Sequence, residues 1–254
     1  MIASYIKTKL DMKVLLLGIA FFSLGFTGGA ISFHYKHINQ SVHGITSVQS
    51  TDDEKENFQS KTIKDDITML VNKDNELDQD YVPKDLRTVN VNFSFKGNSE
   101  EKTMRDESAT ALETMIKDSQ KAKVNLIAVS AYRSYKNQEN IYNNSVKIQG
   151  KDHADKFSAE PGKSEHQSGL SIDLSCNFVG NKLVQNFDKT KEGIWLKNNC
   201  YLYGFIIRYP KDKEKITGYS YEPWHIRYVG KTAAKEIKEK NLSLEEYVDN
   251  LSKK

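Results

Sequence analysis

Cysteine is scarce in this chain: Cys176 and Cys200 are the only two among 254 residues, and no CxxC pair occurs. That excludes a zinc ribbon and a thioredoxin-like redox site. A surplus of either charge is lacking too, since 37 Lys and Arg stand against 34 Asp and Glu, a net charge of +3. With no Arg-rich stretch interleaved with aromatics, nothing argues for a nucleic-acid partner. Between residues 38 and 75 there is no Pro, Cys, Trp or Tyr, and tracts such as TDDEKENFQSKTIKDD (51–66) carry mostly charge and amide. Such a segment cannot bury enough apolar surface to offset its ordering entropy, so residues 34–75 read as a polar linker.

Only one long hydrophobic run is present. Residues 14–33, VLLLGIAFFSLGFTGGAISF, contain no charge. As a helix this run rises roughly 30 Å, the thickness of a bilayer's hydrocarbon core. Lys7, Lys9 and Lys13 precede it, which favours a cytoplasmic segment at 1–13 and places the rest of the chain outside the membrane. Gly28 and Ala30 would also suit a cleaved signal peptide, and either reading leads to the same compartment. The expected localisation is therefore a single-pass membrane protein with an extracytoplasmic domain.

Aromatics and prolines return near Tyr81, and residues 76–254 have a usual size for one domain. Apolar residues at helical spacing predict helices over 104–122, 135–146, 195–205 (closed by Gly204), 231–241 and 242–251. The runs at 124–133, 170–175 and 216–230 read as strands, the last bent at Glu222–Pro223. Helices and strands without strict alternation predict an α+β fold with a mainly antiparallel sheet and flanking helices. We expect a monomer.

Of the six histidines, His34, His37 and His43 fall in or beside the apolar run and linker, leaving His153, His166 and His225 in the domain. In SEHQSGLSIDLS (164–175) strand alternation puts Leu170, Ile172 and Leu174 on one face and Ser171, Asp173 and Ser175 on the other. Asp173 would then project into a cleft or solvent. Gly169 permits a turn that swings His166 back beside Asp173. In YSYEPWHIRYVG (219–230), His225 and Arg227 share a face opposite Trp224, Ile226 and Tyr228. Pro223 disfavours helix at Glu222, so this is not a helical HExxH site. Two histidines and one carboxylate form a familiar one-zinc catalytic set with a position left for water. Glu222 is then the candidate proton carrier, and Arg133 in SAYRSY the candidate partner for a developing oxyanion. Singly, each of these residues is more often a surface or hydrogen-bonded group than a ligand.

YVPKDL (81–86), SAYRSYKNQ (130–138), PGKSEHQSGLSIDL (161–174), GFIIRYP (204–210) and GYSYEPWHIRYVG (218–230) together resemble the VanY-type D-alanyl-D-alanine carboxypeptidases. That family shares its zinc fold with lysostaphin and the hedgehog signalling domain. The SxHxxGxxxD and ExxH pair, with SxYRS upstream, carries the likeness. The resemblance implies one zinc on His166, Asp173 and His225, and Glu222 as general base. It implies contact of Arg133 with the scissile carbonyl or the substrate carboxylate, and terminal D-alanine binding at Gln138 and Ser164. Trp224 would line the pocket. The position usually held by alanine is Ser171 here.

The implied substrate is the peptidoglycan stem peptide, and the implied activity is D,D-carboxypeptidase. L,D-carboxypeptidase or endopeptidase action on the same wall peptides is the nearest alternative, a non-catalytic wall-binding module the next. A cysteine hydrolase lacks any motif that would activate Cys176 or Cys200. Outside the membrane the two cysteines are free to bridge, closing a loop of about 25 residues worth about 3 kcal/mol. Two separate buried thiols are the other arrangement.

Overall fold

The computed structural model describes residues 66–253. The apolar run at 14–33 and most of the linker lie outside these residues. Among the described residues no helix is long and apolar enough to cross a membrane. The chain enters the fold through residues 66–75, at the end of the polar stretch. There Met69 and Val71 bury with Leu77 in a small cluster on which Tyr81 packs. The Asn72 side chain accepts the N–H groups of Asp74 and Asn75, which closes the turn between them.

Two short strands, β1 (Leu86–Thr88) and β2 (Thr103–Arg105), pair antiparallel. Then follow α1 (Asp106–Lys121), β3 (Ile127–Ser130), α2 (Tyr135–Gln149), α3 (Lys151–Phe157), β4 (Ser171–Ser175) and α4 (Lys191–Asn199). The last elements are β5 (Phe205–Tyr209), α5 (Glu214–Thr217), β6 (Glu222–Tyr228), α6 (Lys231–Lys240) and α7 (Leu244–Ser252). The main sheet runs β3-β4-β6-β5, and each neighbouring pair is antiparallel. The expected α+β class and antiparallel sheet are both present.

Hydrophobic patterning explains the layers. The apolar stripe of α1, with Leu112, Met115 and Ile116, packs on one face of the sheet against Leu170, Ile172 and Leu174 and against Ile226 and Tyr228. A second cluster joins Ile206 and Val229 to Ala233, Ala234 and Ile237 of α6 and Leu244 and Tyr247 of α7. Phe205 belongs to the first cluster and Ile206 to the second, as period-2 alternation along β5 requires. Emptying any one of these positions to alanine typically costs about 2–5 kcal/mol. The caps suit the sequence: the Ser134 hydroxyl accepts from Asn137 N at the start of α2, and Ser243 with Glu246 forms a reciprocal capping box on α7.

Four local expectations change. The strand read over 216–230 begins only at Glu222, because residues 214–217 form α5, closed by Gly218. The helix placed at 104–122 begins at Asp106, because residues 103–105 are drawn into β2 by pairing with β1. The segment 195–205 is split between α4 and a 3-10 turn over Cys200–Tyr203, closed by Gly204 at φ +88°. A side chain there would meet Tyr228 Cε2 at 2.7 Å, so glycine is needed for space as well as for backbone. Strand β4, whose polar face the sequence leaves to a cleft or solvent, is buried at all five residues, because His166 covers Asp173 on that face and Ser175 Oγ donates to Lys182 O of the following loop. Cys176 and Cys200 are both buried and free, so no bridge forms. Burial pushes the Cys200 thiol up to about 12, leaving it inert near neutrality.

Candidate metal and active site

His166 sits on a 3-10 turn, Glu165–Ser168, ended by Gly169 in the left-handed region at φ +68°. A Cβ at Gly169 would approach Leu86 Cδ2 to 2.8 Å, so the turn cannot accept another residue without strain. The turn carries His166 back to Asp173 on β4, with His166 Nε2 at 3.4 Å from Asp173 Oδ2. Asp173 and His225 are direct cross-strand partners on β4 and β6. Their side chains meet at 2.9 Å between Nδ1 and Oδ1.

The two rings stand nearly perpendicular, with centroids 5.0 Å apart. One ligand atom from each of His166, Asp173 and His225 lies within 4.8 Å of the others, and all three residues are buried.

Each imidazole is anchored through its other nitrogen. His166 Nδ1 donates to the Ala131 carbonyl at 2.6 Å, and His225 Nε2 faces Glu165 Oε2 at 3.3 Å. The free nitrogens, Nε2 of His166 and Nδ1 of His225, therefore both turn to Asp173. This is the arrangement in which histidines hold a metal, with the second nitrogen fixed by a carbonyl or carboxylate. The electrostatics agree. Burial opposes a charged His225, yet hydrogen bonds to Asp173 and Glu165 outweigh it and raise its pKa to about 9. Burial holds His166 below the ordinary range. Against its own burial, Asp173 is held well below the usual carboxylate range by both imidazoles. The two imidazoles and the carboxylate fit zinc in number and type, and binding it would displace the His225 proton.

These three residues lie at the floor of a cleft of about 810 Å³. Along β6 the register shifts: Ile207 pairs with Ile226 but Tyr209 pairs with Glu222, so two steps on β5 take up four on β6. The irregularity coincides with Pro223, which has no N–H to give to the ladder. It is the bend expected at Glu222–Pro223, and it turns Glu222, Trp224 and His225 all toward the cleft. Burial, reinforced by Asp173 and Glu165 and opposed by His225 and Arg133, pushes the Glu222 carboxyl up to about 7.

Arg133 is the one Lys or Arg among the cleft-lining residues. Its guanidinium donates to Gln138 Oε1 and Ser130 Oγ, both at 2.9 Å, while its buried Nε has no partner. Of five donors two are used, so one on each terminal nitrogen remains for an anionic group in the cleft. Gln138 lines the cleft, but its amide is largely committed: it accepts from Arg133 and donates to Ala159 O at 2.7 Å. Ser164 and Trp224 line the same cleft. All eight residues singled out from the sequence thus converge on one cavity.

Sequence reasoning did not single out Glu165, Arg208 or Arg227. Arg208 and Arg227 are fully buried, and both donate to Glu165 Oε1 at 2.7 Å. The available signal was Arg227 itself, placed by strand alternation on the same face as His225, where a buried charge requires a partner. Tyr209, whose ring stacks on His225 at 5.0 Å, was missed for the same reason.

The family model described as VanY, D-alanyl-D-alanine carboxypeptidase, matches residues 101–231. The putative carboxypeptidase YodJ of Bacillus subtilis is 47% identical over 189 residues, covering 74% of this chain and 69% of YodJ. Among solved structures, the LdcB LD-carboxypeptidase matches with a TM-score of 0.70 and 47% identity, over 73% of this chain and 87% of that one. A mutant of the vancomycin resistance D,D-pentapeptidase VanY, in complex with Zn(II), matches with a TM-score of 0.59 and 33% identity, over 71% of this chain and 98% of that one.

Proposed function

The chain belongs to the VanY family of carboxypeptidases, and from that premise we propose that it is a zinc-dependent D,D-carboxypeptidase releasing the C-terminal D-alanine of peptidoglycan stem peptides. The observation that carries the reading is the convergence of His166, Asp173 and His225 on the floor of a cleft whose walls hold Glu222 and Arg133. The zinc complex of the related D,D-pentapeptidase supports the choice of metal.

His166, Asp173 and His225 would hold a zinc ion, which would supply Lewis acidity toward the scissile carbonyl and the attacking water. Glu222 takes the proton of the attacking water and delivers it to the nitrogen of the departing D-alanine. In the metal-free protein burial already favours the protonated form that Glu222 takes midway through that exchange. Arg133, held in place by Gln138 and Ser130, presents its remaining donors to the carbonyl oxygen as charge develops or to the substrate carboxylate. Ser164 and Trp224 close the pocket around the terminal residue. The accompanying topology is an anchor at 14–33, a tether at 34–65 and the domain outside the membrane. Recovery of the full chain in the membrane fraction after alkaline wash tests the anchor.

A second reading, L,D-carboxypeptidase, is favoured by one observation: the LdcB LD-carboxypeptidase is more similar, at 47% identity and a TM-score of 0.70, than the D,D-pentapeptidase, at 33% and 0.59. Incubation with a stem pentapeptide ending in D-Ala-D-Ala and with the corresponding tetrapeptide separates the two, with products read by mass. Loss of one alanine from the pentapeptide alone supports D,D action, and loss from the tetrapeptide moves the assignment to L,D. Cleavage of neither, by zinc-loaded protein, contradicts both.

A further inference from the structure

Behind the cleft floor lies a buried ionic cluster built from five separate parts of the chain. Glu165 comes from the 3-10 turn, Arg208 from β5, Arg227 from β6 and Glu245 from α7. The lead-in segment supplies the Ile67 and Met69 carbonyls. Glu165, Arg208 and Arg227 have side chains with no solvent exposure, and that of Glu245 is 13% exposed. Two carboxylates balance two guanidiniums.

Glu165 divides its oxygens. Oε1 accepts from Arg208 Nε and Arg227 Nη1, each at 2.7 Å, and leaves Oε2 for His225 Nε2. Arg208 then spends its other two nitrogens on Glu245, Nη2 to Oε1 at 2.6 Å and Nη1 to Oε2 at 3.0 Å. Asn72 Nδ2 also reaches Glu245 at 3.3 Å. Arg227 Nη2 donates to Met69 O at 2.7 Å and Ile67 O at 3.1 Å, and its Nε to Tyr228 O at 3.0 Å. Each guanidinium is thus held from both sides.

Stability alone does not account for such a cluster. Well-packed apolar residues in place of a buried ion group are often as stable or more so, because desolvating the charges cancels much of their attraction. What apolar residues would not supply is an acceptor for His225 Nε2–H. We infer that Glu165 is a positioning residue for the metal site and that Glu245, acting through Arg208, is a second one at the surface end of the same chain of contacts. Glu165 holds His225 through Nε2, so that Nδ1 is the nitrogen turned to the metal position beside Asp173. The two arginines aim Glu165 by holding its Oε1, and Glu245 fixes Arg208. The last helix and the lead-in segment thereby become part of the metal-site scaffold, although neither reaches the cleft.

This inference rests on the zinc reading above, and the experiment separates the two. Metal-free wild type, Glu165→Gln, Glu245→Gln and a control, Ile116→Val in the α1 core, are titrated with zinc against a competing chelator at 25 °C. The melting temperature of each metal-free protein, and kcat and KM at saturating zinc, are also measured. Glu165→Gln should weaken zinc binding about ten- to a hundredfold, the usual cost of losing the group behind a histidine ligand. Glu245→Gln should weaken it roughly threefold or more. KM should be unchanged in both at saturating zinc, while Ile116→Val should lower the melting temperature and leave zinc affinity at the wild-type value.

Should Glu165→Gln fail to fold, Glu245→Gln decides. Zinc affinities within about twofold of wild type in every folded variant would overturn the inference, and so would an equal loss in Ile116→Val. A wild type that binds no zinc overturns the zinc reading, and the inference with it. A wild type that binds zinc alongside unaffected variants overturns the inference alone.

Discussion

Replacing Glu222 by glutamine should inactivate the protein and stabilise it. The carboxyl is part-buried beside two other acids, and burial is the main force lifting its pKa from 4.5 to about 7. At about 1.4 kcal/mol per pH unit, a rise of that size corresponds to roughly 3 kcal/mol of unfavourable ionisation once the pH exceeds 7. The folded state binds this proton more tightly than the unfolded chain does. The favourable contribution is therefore complete below about pH 4.5 and is lost as pH rises through about 7. Glutamine fills the same space and cannot ionise. Urea unfolding of the metal-free proteins should show near equality at pH 4 and the variant more stable by about 3 kcal/mol at pH 8. Adding zinc should narrow the gap, because a nearby cation favours the ionised carboxylate. Turnover of the zinc-loaded variant should fall about 10²- to 10⁴-fold with metal retained. A variant no more stable than wild type at pH 8, or a gap independent of pH, would refute the reasoning, and so would full activity.

Three further outcomes follow from the geometry. Arg133→Lys removes the planar fork that Gln138 and Ser130 hold in place, and steady-state kinetics should show kcat/KM lower by about a hundredfold. Ser171→Ala deletes a buried hydroxyl that has no partner, so thermal unfolding should be unchanged or more stable by up to about 1 kcal/mol. A soluble protein starting at residue 66 should melt well above one starting at 78, because the shorter form loses Met69, Val71 and Leu77 and the carbonyls that hold Arg227. Equal melting temperatures would show that the segment contributes nothing.

Much of the site was legible because its geometry is local. Alternation along LSIDLS fixes which face Asp173 takes, Gly169 gives the turn that returns His166, and Pro223 marks the bend beside His225. All three can be read within a dozen residues. The supporting cluster was not legible, since Glu165 meets Arg208 and Arg227, and Arg208 meets Glu245, across separations of 37 to 62 residues. No periodicity encodes contacts of that range. The burial of both faces of β4 was hidden for a related reason: alternation shows two chemically distinct faces, but not that the turn carrying His166 and the loop at Lys182 cover the polar one. The polar composition before residue 76 likewise concealed Met69 and Val71, two apolar side chains that find partners only in the folded domain.

The central claim is that one zinc, at His166, Asp173 and His225, enables removal of a single D-alanine. The most direct measurement is a zinc titration of the metal-free protein, with alanine release from the stem peptide followed at each point. The account predicts activity that rises from background to a plateau at one zinc per chain, and an Asp173→Ala protein that stays at background throughout. Undiminished activity in the chelated protein, or full zinc-dependent activity in Asp173→Ala, would contradict it.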